Sequence, residues 1–176
     1  MTSAPLHEIL IADDDSGIRD MLTRAFAGDF RVIVAADGSE AMRFLERAKP
    51  AAVIVDEMMP GATGTQVLSR AKSLFPDVPR VLMTASNDTE RAMNAINEGE
   101  IHRFYAKPLR VMELRRSILD LVKRAINEEA LRIELRTLRA VKEESQIQRA
   151  ATRVVILSAG EGDAAQRGDR VQAAAK

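Results

Sequence analysis

Three features of the first 109 residues predict an open α/β domain built from five strand–helix units. Short apolar runs alternate with amphipathic stretches, the signature of repeated βα units around a parallel sheet. The third run, Ala52–Val55, is purely aliphatic, as a strand covered on both faces must be. Acidic, hydroxyl and basic residues then fall at the ends of successive runs, where ligands gather in such a sheet.

Taken in order, the strands are Glu8–Ala12, Arg31–Ala35, Ala52–Val55, Arg80–Met83 and Arg103–Ala106. Helices are predicted near Gly17–Ala27, Ser39–Ala48, Thr65–Phe75 and Thr89–Asn97. Their edges carry the expected punctuation. Asp15, Ser16, Asp37 and Asn87 sit near starts, while Gly28, Pro50 and Gly99 follow ends.

After Pro108 no glycine or proline occurs as far as Gln146 and beyond, which predicts a long helix. Leu114, Ile118, Leu121 and Ala125 recur at 4-3-4 spacing and form one face that packs on the sheet. Leu131, Leu135 and Leu138 continue the spacing, but the step of six residues from Ala125 makes the stripe drift. The extension, residues 126–150, is therefore expected to leave the domain as a coiled coil or a partner-docking helix. A helix lying back over the domain is the plainer alternative. Val154–Leu157 is a brief β-prone run that also reads as the start of a further domain. The rest of 151–176 has the Gly/Ala/polar composition of a disordered tail.

Composition excludes several classes. At 176 residues the chain accommodates one packed domain and an appendage. It is 46% hydrophobic and 30% charged, as a soluble globular chain is, and only 3% aromatic, too few for a base-stacking platform. Basic and acidic residues balance at 26 each, with 12 against 16 in residues 1–108 and 10 against 7 in 109–150. So small a local excess gives no support for direct DNA binding. No cysteine means no disulfide or thiolate metal site. Without a leader-like segment near the N-terminus or an apolar run of about 18 residues, a cytoplasmic protein that does not enter the membrane is expected.

The chemistry is carried by the strand ends. The first strand runs into Asp13, Asp14 and Asp15, the third into Asp56, the fourth into Thr84 and the fifth into Lys107. With strand order 2-1-3-4-5, Asp13, Asp14 and Asp56 converge. Carboxylates so close repel, so some bind protons or a cation sits among them. All-oxygen ligation with room for water suits Mg²⁺. Asp56 is then fit to act as a nucleophile towards phosphorus, with Lys107 supplying an ammonium and Thr84 a hydroxyl donor.

The strings Ile9-Leu-Ile-Ala-Asp-Asp-Asp15, Val53-Ile-Val-Asp-Glu-Met-Met-Pro-Gly-Ala-Thr-Gly64, Met83-Thr-Ala-Ser86 and Ala106-Lys-Pro108 resemble the four signature sites of response-regulator receiver domains. The resemblance covers about residues 6 to 125. It implies a flavodoxin-like (βα)5 receiver fold with Asp56 as acceptor of a phosphoryl group from a sensor histidine kinase or phosphotransfer protein. It also implies Mg²⁺ held by Asp13, Asp14, Asp56 and the backbone carbonyl of Met58. Thr84 and Phe104 match the family's switch pair, Tyr105 lies beside that position, and the Lys107–Pro108 peptide resembles one that is usually cis. Gly99-Glu-Ile-His-Arg-Phe104 is similar to a subset of receivers that precede larger output domains.

Each residue has an ordinary reading by itself. Asp56 alone is a cap, Thr84 a satisfied loop hydroxyl, Lys107 a surface lysine and Phe104 core; their joint placement is what points to a site. Asp15 and Ser16 read as caps rather than ligands. His7 and His102 lack clustered partners, the methionines read as packing, and Gly61 and Gly64 shape the turn after Asp56.

The function expected is a signalling switch. Phosphorylation of Asp56 draws Thr84 inward, Phe104 fills the vacated space, and the face of the fourth helix, fifth strand and fifth helix changes its partner preference. A downstream protein, or a homodimer tightened around Leu131, Leu135 and Leu138, would read the change. Beyond self-phosphorylation and autodephosphorylation no enzyme activity is expected. A phosphohydrolase of the haloacid-dehalogenase type needs a carboxylate two residues after its nucleophile, where Met58 stands. A scaffold-only receiver is at odds with the intact acidic and basic residues. A DNA-binding regulator lacks a helix-turn-helix with its own core after residue 125.

Overall fold

The computed structural model describes residues 7–85 and 101–172, with side chains described as far as residue 149. The strands are β1 (Glu8–Ala12), β2 (Arg31–Ala35), β3 (Ala52–Asp56), β4 (Arg80–Ala85) and β5 (Arg103–Lys107). The helices are α1 (Ser16–Phe26), α2 (Gly38–Leu45), α3 (Gly64–Leu74) and α4 (Val111–Gln172). All strand pairs are parallel and the order is β2-β1-β3-β4-β5, as the sequence predicts. The helix expected over Thr89–Asn97, with its flanking Asn87 and Gly99, lies outside the described residues.

Period-two alternation divides the core between the faces of the sheet. Leu10 and Ala12 join Val53, Val55 and Leu82 beneath α2 and α3, whose Ala41, Leu45, Val67, Leu68 and Ala71 close that layer. Ile9 and Ile11 join Ile54, Val81 and Met83 on the other face, against Leu22 and Phe26 of α1 and Leu114, Ile118 and Val122 of α4. The third buried member of the α4 stripe is Val122, whereas Leu121, which the sequence places on this face, is only partly buried. Residues four apart sit on one helical face, so Leu114–Ile118–Val122 is the stripe that the flat sheet selects.

Local chemistry fixes the helix starts. The Asp15 carboxylate accepts from Gly17 N–H at 2.7 Å, and Asp37 from Glu40 N–H at 2.7 Å. At α3, Thr63 and Gln66 form a reciprocal capping box. The helix begins at Gly64, one residue before the Thr65 that the sequence predicts.

The chain divides into two compact units after Glu129. Within the first, Lys49 pairs with Glu129 at 2.9 Å and Arg115 with Asp29 at 2.6 Å, so the loops that follow α2 and α1 are each tied by charge to α4. The backbone of α4 is helical through Gln172, Val154–Leu157 included, and residues 173–176 of the expected tail lie outside the described residues. No proline interrupts this stretch and alanines are frequent in it, which offsets the weak propensity of its glycines. Among the described residues, no helix is long and apolar enough to cross a membrane.

Candidate functional site

Parallel register builds the site. Ala12 is paired with Val55, so the next residues out, Asp13 and Asp56, stand side by side at the carboxyl ends of β1 and β3. Ala85 is paired with Lys107 on the other side of β4. The sheet thereby brings together residues that are 43 and 51 positions apart in sequence, counted from Asp56 back to Asp13 and on to Lys107.

The Lys107 ammonium bridges the two carboxylates, lying 2.9 Å from Asp13 Oδ2 and 2.6 Å from Asp56 Oδ1. Both aspartates are buried, at 0% and 5% exposure, so their charges interact in a poorly screened environment. Burial raises the Asp13 pKa, an effect that the Lys107 and Asp15 hydrogen bonds oppose and the Asp56 charge reinforces. Burial also works against the Lys107 charge, but hydrogen bonds to Asp56 and Asp13 outweigh it and the pKa is raised.

Backbone donors hold the carboxylates in place. Asp13 Oδ1 accepts from Asp15 N–H at 3.0 Å, and Asp56 Oδ2 accepts from Met58 N–H at 2.9 Å. Arg19, one turn into α1, donates to the backbone carbonyls of Asp13 at 2.7 Å and Asp14 at 3.0 Å. Those carbonyls are thus committed to the guanidinium. The Asp14 side chain is exposed at the mouth of the site.

The loop after Asp56 is closed by a residue that sequence reasoning missed. Glu57 is 4% exposed; its carbonyl accepts from Gly64 N–H, and its carboxylate accepts from Thr65 N–H at 2.9 Å and Thr65 Oγ1 at 2.7 Å. One buried acid therefore joins the end of β3 to the start of α3, and Met58 is carried on the loop between them. No motif marks such an acid in a single sequence. Gly64 fits because its Cα faces the acceptor's backbone: a Cβ there would come within 2.4 Å of the Asp56 carbonyl oxygen. Gly61 turns the same loop at φ +83°.

Thr84, the penultimate residue of β4, is buried, its hydroxyl donating to the Ala85 carbonyl at 3.3 Å. Phe104 on β5 is paired in register with Leu82 and packs, half-buried, against the α2/α3 side of the core, while Tyr105 points to the opposite layer. The Lys107–Pro108 peptide is cis. His102 Nδ1 accepts from Arg80 N–H at 3.1 Å, and burial together with the Arg80 charge lowers the His102 pKa.

Two buried carboxylates share one ammonium, which leaves surplus negative charge on hard oxygen donors even before the exposed Asp14 is counted. That donor set fits a Mg²⁺ ion. Among the described residues, no cage of three His, Cys, Asp or Glu side chains is already drawn together, so a cation would rely on backbone oxygen and water for its remaining ligands.

Residues 9–119 match the family model described as "Response regulator receiver domain". The chain is 26% identical over 151 residues to the hydrogenase transcriptional regulatory protein HoxA of Cupriavidus necator, covering 82% of this chain and 30% of that one. It is 30% identical over 123 residues to the response regulator MprA of Mycobacterium leprae, covering 69% of this chain and 54% of that one. The chain thus spans about a third to a half of these relatives' length. Among solved structures, the signal receiver domain of an HD-domain-containing protein from Pseudomonas fluorescens Pf-5 superposes with a TM-score of 0.66 at 27% identity, covering 74% of this chain and 96% of that one.

Proposed function

The chain belongs to the response regulator receiver family, and on that premise we propose that it is a phosphorylation switch whose acceptor is Asp56. The observation that supports this most directly is the Lys107 bridge, which places an ammonium 2.6 Å from the carboxylate that must meet an anionic phosphoryl group. In the proposed transfer an Asp56 carboxylate oxygen bonds to phosphorus while the P–N bond to a sensor kinase's phosphohistidine breaks. The freed imidazole keeps the bonding pair and takes a proton from solvent. Lys107 moves its charge from the carboxylates to a phosphoryl oxygen.

Asp13, Asp14, Asp56 and the Met58 carbonyl are the groups that would hold Mg²⁺, whose bound charge screens the repulsion between acceptor and phosphoryl group. Met58 N–H fixes the orientation of the Asp56 carboxylate, leaving one oxygen towards Lys107. Thr84 then turns its hydroxyl from the Ala85 carbonyl to the phosphoryl group. Phe104, half-buried beside Leu82, follows into the vacated space. The altered β5 face and the helix beyond it pass the change to a downstream protein or to a second copy of the chain.

Incubation with Mg²⁺ and acetyl phosphate tests the acceptor. One phosphoryl mass should be added, hydroxylamine should remove it, and Asp56→Asn should not acquire it. An unchanged mass in the parent protein, or the same adduct in Asp56→Asn, would overturn the assignment.

A further inference from the structure

Two carbonyl groups of the acidic loop lie between the hydrogen-bonding ladders of the fold. β1 ends at Ala12, and beyond it Asp13 N–H makes a last bond along the sheet, to the Ala35 carbonyl at 3.3 Å. The ladder of α1 opens with Arg19 N–H on the Asp15 carbonyl at 3.1 Å. The carbonyls of Asp13 and Asp14 fall in the gap, where a backbone acceptor needs a side chain or water to satisfy it. Arg19 satisfies both from one nitrogen: Nη1 lies 2.7 Å from Asp13 O and 3.0 Å from Asp14 O.

The three aspartates of the site are held in different ways. Asp13 and Asp56 have their carboxylates fixed directly, by the Lys107 ammonium and by the N–H groups of Asp15 and Met58. Among the described residues, no hydrogen bond or ion pair reaches the exposed Asp14 carboxylate. Its direction is set through the main chain instead. Each peptide unit is rigid, so the Asp13 carbonyl fixes one of the planes that flank the Asp14 Cα and the Asp14 carbonyl fixes the other. With both planes pinned, the Cα–Cβ bond of Asp14 points one way. The guanidinium also occupies two hard oxygen donors, so the loop offers a cation its carboxylates rather than these carbonyls.

We infer that Arg19 is a positioning residue for the Mg²⁺ site: it is itself no ligand and acts through Asp14, whose carboxylate it aims by gripping the peptide planes on either side. The inference rests on the reading of Asp13, Asp14 and Asp56 as the Mg²⁺ carboxylates, and it gives that site a determinant outside the ligand set. Arg19 is carried on α1, whose Leu22 and Phe26 are buried in the core, so the clamp is anchored to packed structure.

Calorimetric titration of the full chain with MgCl₂ reads the site directly. Arg19→Met keeps the aliphatic stem and removes the donors; it should weaken Mg²⁺ binding roughly tenfold, the usual scale for losing a group that orients a metal ligand. The sign separates the clamp from plain electrostatics, because removing a positive charge close to a cation site would by itself tighten binding. The rate of phosphorylation by acetyl phosphate at saturating Mg²⁺ should stay within about twofold of the parent, since the aim of Asp14 governs how readily the site fills. Arg19→Lys, which returns a charged donor, should recover most of the affinity. In an Asp14→Asn background Arg19→Met should weaken binding by less than about twofold, because the residue it acts through is gone. Unchanged or tighter binding in Arg19→Met, or a full-sized loss that survives in Asp14→Asn, overturns the inference. A saturating rate that falls as far as the affinity marks general damage to the site and overturns it too. If the parent chain itself binds no Mg²⁺, the reading beneath the inference falls with it. Unfolding midpoints verify each fold, and Arg19→Gln, polar but too short to reach either carbonyl, replaces Arg19→Met if the latter does not fold.

Discussion

The Lys107 ammonium lies 2.6 Å from Asp56 Oδ1 although their strands are not neighbours: β4 separates them, and the lysine reaches across its end. The same ammonium contacts Asp13, so a single charge holds three elements together at one edge of the sheet.

Lys107→Met should therefore do more than slow phosphorylation. It leaves two adjacent buried carboxylates without their counter-charge, a loss of about 2–3 kcal/mol at neutral pH once the partial exposure of the lysine is allowed for. Urea unfolding at neutral and mildly acidic pH checks this. The deficit should shrink in acid, where one carboxylate takes up a proton.

Asp13 gives the pH dependence its sign. Its folded-state pKa lies above the ordinary 3.8, so between 3.8 and the raised value the folded state binds more protons than the unfolded one, and stability falls as pH rises through that window. Asp13→Asn should flatten this slope in a series of urea midpoints. Lys107, whose pKa is raised from 10.5, contributes stability that is fully present below that value and is lost as the pH climbs through the folded-state pKa.

Glu57→Ala should cost about 1–3 kcal/mol, because Thr65 loses the acceptor for both its N–H and its hydroxyl at the start of α3. Glu57→Gln keeps a carbonyl oxygen in place and should lose less than half as much. Hydrogen exchange at Thr65 N–H should accelerate in the alanine variant and remain slow in the glutamine variant.

Two glycine substitutions should behave oppositely. Gly64→Ala drives a methyl group towards the Asp56 carbonyl and should destabilise the fold by about 2 kcal/mol while displacing the acceptor. Gly28→Ala meets nothing within 4 Å and should stabilise by about 0.4–1 kcal/mol through the unfolded chain alone. Thermal unfolding of the pair separates close packing from conformational entropy.

The strands were legible because each is a short apolar run bounded by charges or turn formers, and both Glu8–Ala12 and Arg31–Ala35 have the boundaries the sequence predicts. Asp13, Asp56, Thr84 and Lys107 were legible for a related reason: each follows such a run directly, so placing the strand places the residue. Glu57 and Arg19 were not. Their roles depend on backbone groups they reach in the folded chain, Gly64 and Thr65 for the one and the carbonyls of Asp13 and Asp14 for the other, and a hydrogen bond to a backbone leaves no trace in residue type. Val154–Leu157, four β-prone residues, are helical within α4, because the surrounding chain overrides so short a propensity signal.

The residues of the acidic site come from β1, β3 and β5, which means that no contiguous segment holds even half of it. Asp56 precedes Lys107 by 51 residues, and the ammonium that bridges the two aspartates arrives on the edge strand β5. A chain cut before β5 would keep both carboxylates and lose their shared counter-charge.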